Sequence, residues 1–120
     1  MNIGGIEVDL LARALDVSVK RHEVAATNLA NIDTPQYRAK ELRFEAAFRN
    51  AIKRDPKEAL DLEPEIIDDE SATEKSDGNT VSLEKEVGVM NKNALAFQVL
   101  GSAMRHKLSL MKQAITGAPR

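Results

Sequence analysis

The stretch SLEKEVGVMNKNALAFQVLGSAMRHKLSLMKQAITG, residues 82–117, decides the fold. Leu83, Val87, Met90, Ala94, Phe97, Gly101, Met104, Leu108, Met111 and Ile115 recur at alternating spacings of three and four, which draws one apolar stripe along a helix. Ser82 is suited to cap the N-terminus and Gly117 to close the C-terminus. Glu84 and Glu86 sit in the first turn, where acids suit the helix dipole. From residue 82 to 116 this helix would span roughly 50 Å at 1.5 Å per residue. Few isolated small domains need a helix that long.

The other end of the chain repeats the pattern. Val8, Leu11, Leu15, Ser18, His22, Ala25, Leu29 and Ile32 form a second stripe, and Thr34 before Pro35 stops it, with Asn31 and Asp33 tolerant of a left-handed closing residue. The two stripes predict an all-α fold, a single domain over residues 1–120, in which a helix over 7–33 pairs antiparallel with a helix over 82–116 as a coiled-coil hairpin. Residues 34–81 are expected to hold a turn, a short amphipathic helix and a flexible, irregular acidic connector. Within that connector, residues 53–79 carry ten acids against four bases and few large apolar groups, too little to offset ordering entropy. Pro64 confines any strand there to an edge.

A second apolar set lies off each seam. Leu10, Val17 and Val24 repeat every seven residues on the first helix, and Val89, Ala96, Val99, Ala103 and Leu110 lie on the far face of the second. One partner helix covers only one stripe, so Leu10, Val17, Val24, Val89, Val99 and Leu110 are expected to contact neighbouring subunits. Leu42, Phe44, Phe48 and Ile52 line the short middle helix, and Phe44 and Phe48 are two of only four aromatics.

Chemistry is sparse. The chain has no cysteine, hence no disulfide, thiolate site or cysteine nucleophile. His22-Glu23 lacks the second histidine of a zinc-protease helix, because Ala26 stands there. Gly4-Gly5 is followed by no Gly-Lys pair, so no phosphate loop forms. The net charge of -2 argues against neutralising a nucleic-acid backbone, and the N-terminus shows neither the basic nor the apolar region of a cleaved signal. Neither an enzyme nor a cofactor is expected.

One polar cluster stands out: Asn28-Leu29-Ala30-Asn31-Ile32-Asp33-Thr34-Pro35-Gln36-Tyr37. Asn28 and Asn31 lie one turn apart, so both amides project from one side of the helix end and form a rigid corner. The segment resembles the N-terminal signature of the flagellar rod, hook and axial protein family. The match is carried by Asn28, Ala30, Asn31, Asp33, Thr34, Pro35 and Tyr37, and by Phe44 beyond them. Asp77, Gly78, Asn79, Thr80 and Val81, with the run to Glu86, resemble the segment that opens the C-terminal helix in the proximal rod members of that family. Gln36 stands where the family has Gly, which speaks against a positive-φ turn at that point, and the short stretch between the motifs implies little or no outer domain.

The resemblance implies a non-catalytic structural subunit, exported without cleavage and polymerised into the helical rod that carries torque from rotor to hook in the periplasm. It also implies partners: other copies of the chain, the sister rod protein FlgC, the rod adaptor FliE, the MS ring and the flagellar type III export apparatus. That export class carries Phe-x-x-x-hydrophobic recognition motifs, which Phe44, Phe48 and Ile52 fit. The alternative is a cytoplasmic helical-hairpin adaptor or export chaperone that uses the same heptads in a closed dimer.

Overall fold

The computed structural model describes residues 3–117; Met1 and Asn2, part of the segment read for a signal, lie outside them. Two long helices dominate. Helix α1 runs Ile3–Ala30 and starts earlier than its apolar stripe. It ends where Asn31 folds back: its backbone N–H donates to Thr27 O and Asn28 O, and its side-chain amide donates to Thr27 O at 2.8 Å. Strand β1 (Lys40–Arg43) follows, then α2 (Glu45–Arg54), α3 (Pro56–Leu60) and strand β2 (Glu65–Asp68). Helix α4 fills Leu83–Thr116. Ser82 caps it by accepting from Lys85 N–H, and Gly117 closes it at φ 68°. Both ends fall where the capping residues predict.

The fold is therefore mostly helical but not all-α. β1 and β2 pair antiparallel, with Lys40 opposite Asp68 and Arg43 opposite Glu65. The expected middle helix starts only at Glu45, because residues 40–43 are drawn into this sheet. The acidic connector is not irregular either. Asp55 caps α3 through Lys57 N–H with Pro56 in the first turn, Ala59 is fully buried, and Pro64 precedes a strand that has a neighbour on one side only. Composition under-read the segment because its order comes from polar side chains such as Asp69, Asn79 and Thr80, all buried.

The long helices pair antiparallel: Glu7 forms an ion pair with Lys107, Ser18 meets Asn93, and Asn28 lies beside Glu86. At the middle of this contact Ser18 Oγ donates to Asn93 Oδ1 (3.0 Å) and Asn93 Nδ2 donates to Ser18 O (2.7 Å). This buried clip fixes register, because a slip by one turn would strand both groups. The seam on α4 is rotated from the predicted stripe. Met90, Gly101, Met104 and Met111 are partly covered, but Leu83, Val87, Phe97, Leu108 and Ile115 are exposed, while Glu86 and Asn93 are buried instead. The heptad stripe marks the most apolar line of α4, whereas the polar clips choose the line that meets α1.

The adjacent face of α1 holds the small core. Val17, Leu42 and Phe44 are buried together, with Val24, Phe48 and Leu62 packed against them. Arg13 ties α1 to the end of α3, its Nε donating to Leu62 O at 2.9 Å while Nη2 pairs with Glu63 at 2.9 Å. The whole molecule is a thin slab, 64 × 30 × 15 Å.

Candidate functional site

Two regions bear on function: a polar joint that unites both sequence motifs, and the flanks of α4 that α1 leaves bare. Asn28 is the centre of the joint and is fully buried. Its Oδ1 accepts from Lys40 N–H (3.0 Å) and from Tyr37 Oη (3.2 Å), and its Nδ2 donates to Lys40 O (2.8 Å). The amide thus treats β1 as a neighbouring strand would, anchoring the hairpin to the helix. Asn79, also fully buried, mirrors it from the second motif. Its Nδ2 donates to Asn31 O (2.9 Å) and Thr34 O (2.7 Å), and its Oδ1 accepts from Val81 N–H (2.8 Å). Thr34 Oγ1 closes the turn on Asn31 Oδ1. Thr80 Oγ1 accepts from Ala39 N–H at 2.7 Å, and Thr80 N–H donates to Tyr37 O.

The two motifs, read as a corner and as the opening of the second helix, are two halves of a single lock. Gln36 adopts φ 64°, so the left-handed turn is kept despite the missing glycine, held by Gln36 N–H donating to Asp77 O at 2.9 Å. That conformation costs a non-glycine residue about 1–2 kcal/mol. Gly78 faces it at φ 82°, and a Cβ there would sit 3.2 Å from Gln36 Cγ, so both its conformation and its space demand glycine. Ala30, Asp33 and Pro35 are exposed on the turn, and Val81 is buried beneath it.

The joint carries the chain's main electrostatic tension. Burial raises the Glu86 carboxyl above its ordinary range, helped by the nearby Asp69 charge, and the Asn28 side chain and Lys85 only partly oppose this. Asp69 is buried as well, yet hydrogen bonds from Lys85 and Ser71 outweigh desolvation and lower it. Glu45 is lowered in the same way, its desolvation overcome by the Arg21 fork at 2.7 Å to both oxygens. Among the described residues no cluster of His, Asp or Glu could hold a metal ion.

The expected subunit-contact residues divide by position. Val17 is 3% exposed inside the chain's own core, so it offers no surface to a neighbour. Val24 is partly covered by the same core. Leu10 and Val89 are half-buried, whereas Val99 (69%) and Leu110 are exposed. Phe44 and Phe48 stack with ring centroids 4.6 Å apart, and Ile52 is half-buried on α2. In the folded chain these three are packing residues. Sequence reading missed Leu95, which is exposed beside Val99; it lies one position off the spacing used to draw the stripe.

Seen down its axis, α4 carries two bare apolar flanks on either side of the line that meets α1. One holds Leu95, Val99 and Leu110, and the other Leu83, Val87, Phe97, Leu108 and Ile115. Two such flanks on one helix exceed the scattered single apolar residues of an ordinary surface. The flagellar basal body rod protein FlgB of Borrelia hermsii is 30% identical over 125 residues, covering 88% of this chain and 93% of the relative. That of Bacillus subtilis is 30% identical over 117 residues, 89% and 91% of the two chains.

The chain belongs to the FlgB family of flagellar basal body rod proteins.

FlgB of Salmonella typhimurium is 27% identical over 125 residues, covering 82% of this chain and 88% of the relative. No protein-family model matches the chain. As a member of the FlgB family it is a structural rod subunit of the flagellar basal body and not an enzyme. Among the described residues no helix is long and apolar enough to cross a membrane.

Proposed function

We propose that the chain builds the proximal, periplasmic part of the rod by open helical self-assembly through the bare flanks of α4, and so carries torque from rotor to hook. The observation that supports this most is the pair of unlike apolar flanks on one helix. A closed dimer needs a single self-complementary patch, whereas two different surfaces that fit each other repeat without closing. Burial at such contacts is worth about 25 cal/mol per Å² of apolar surface, and a lattice multiplies it. Val99 and Leu110 are the contact residues of one flank, with Val89 continuing it toward α1 and Leu10 and Val24 flanking on α1. FlgC, FliE and the MS ring are the neighbours this role implies. The type III export apparatus would read Phe44, Phe48 and Ile52 on the unfolded chain, before they pack. Export without a cleaved signal belongs to the same reading.

Val99→Glu with Leu110→Glu tests the interface. Both side chains are exposed, so the purified monomer should keep its helical circular dichroism while cells lose rods, hooks and motility. Full motility at normal expression would remove the interface. Sedimentation separates the rival adaptor or chaperone: a species of twice the chain mass at every concentration would favour the closed dimer.

A further inference from the structure

The joint holds two buried carboxyls whose surroundings differ. Glu86, in the first turn of α4, and Asp69, just after β2, are each 4% exposed. Asp69 is well supplied: Lys85 pairs with it, and Ser71 donates both its backbone N–H and its hydroxyl. Glu86 forms no ion pair among the described residues. Its side-chain hydrogen-bond partner is Asn28, which is nearly spent. Asn28 Oδ1 already accepts from Lys40 N–H and from Tyr37, and Nδ2 already donates to Lys40 O, so one amide hydrogen remains.

The other charges around Glu86 are committed elsewhere. Glu86 lies in the wall of a cleft of about 580 Å³ between α1, β1 and the first half of α4. From α1, Arg21 forks onto Glu45 of α2; from β1, Lys40 pairs with Asp68 and Glu41 with Arg43. On α4 itself Lys85 is held by Asp69, and the Lys92 charge acts on Glu45. Ala25, Leu42 and Val89 supply apolar lining. A carboxylate is costly in such a place and a neutral carboxyl is not.

We propose that Glu86 and Asp69 make the joint a proton-operated latch, closed when Glu86 carries a proton and Asp69 does not. When Glu86 ionises, its charge draws water in through the cleft, and the first turn of α4 lifts from Asn28 and β1. When Asp69 is protonated instead, Lys85 lets go from the other side. Burial pushes Glu86 up while hydrogen bonds hold Asp69 down, so a window exists between the two titrations in which the latch is shut. The same joint seats the hairpin on the helix pair, through Ala39 N–H on Thr80 and Lys40 N–H on Asn28, so the latch couples proton activity to the shape of the subunit.

Amide hydrogen exchange on the full chain tests this, with rates corrected for the ordinary effect of pH. Between about pH 4.5 and about pH 8, protection of the Ala39, Lys40, Thr80 and Val81 amides should fall several-fold. Amides near the Ser18–Asn93 clip, away from the joint, should keep theirs. Glu86→Gln should hold the joint amides within about twofold across the same range, and Glu86→Met, which cannot ionise either, should do the same. Joint protection that does not change with pH in the wild type overturns the latch. Equal loss at the joint and at the clip overturns it too, because the pH effect is then global. A pH dependence that survives in both variants takes Glu86 out of the device.

Discussion

Glu86 shows how one residue can be legible by type yet misread by role. In the sequence it is a first-turn acid favourable to the helix dipole. In the fold it is buried beside Asn28 with its carboxyl raised, mainly by desolvation. An acid whose folded pKa exceeds its unfolded one binds its proton more tightly in the native state. Stability then falls as pH rises from the ordinary carboxylate value through the raised one, and the penalty persists above it. Glu86→Gln keeps shape and removes that charge. Its unfolding midpoint should lie above wild type at neutral pH, with the gap closing as pH drops below the ordinary carboxylate range; urea titrations at several pH values check this. Asp69 works in the opposite sense. Its lowered pKa gives stability that is present above the ordinary value and lost on acidification, so acid should loosen the Lys85–Asp69 side of the joint while relieving Glu86.

At the level of elements, the α1–α4 contact is placed by hydrogen bonds and an ion pair rather than by the longest apolar stripe. Met104 and Leu108 belong to the same predicted seam, yet Met104 is half-buried and Leu108 is 47% exposed. Met104→Asp should therefore cost about 2 kcal/mol by putting a charge against α1, and Leu108→Asp should stay within about 0.5 kcal/mol, as for other surface changes. Chemical denaturation of the two variants measures the difference directly, and equal losses would return Leu108 to the helix pair. The β hairpin follows the same logic. Its strands have four residues each, too short to stand alone in water, and they persist because Asn28 hydrogen-bonds β1 and Asp69 N–H reaches Ala39 O at 2.8 Å.

Across the whole molecule, charge is graded: residues 53–79 are acidic, and α4 beyond Glu86 carries only bases. Interactions between exposed charges weaken as the screening length falls from about 10 Å at 0.1 M salt to about 3 Å at 1 M. Assembly that depends on this gradient should need several-fold more protein in about 1 M than in about 0.1 M sodium chloride, read by light scattering. An unchanged threshold would mean that the apolar flanks act without it. At a thickness of 15 Å the chain has too little bulk to cover the flanks of α4, and Leu95, Val99 and Ile115 stay exposed.

Local information in the chain determined both long helices, the Ser82 cap, the Gly117 stop and the turn after α1, because each depends on period or on the conformational limits of one or two neighbouring residues. The family likeness was legible for the same reason, in contiguous motifs. The tertiary structure alone decided that those motifs lock together, since the bonds from Asn79 to Asn31 and Thr34 join residues 48 and 45 positions apart. It also decided that Val17 faces inward, that residues 40–43 pair with 65–68, and that α4 turns Asn93 rather than Phe97 toward α1. Those outcomes rest on where buried amides and carboxylates find partners, and a polar side chain gives no sign of its partner until the chain is folded around it.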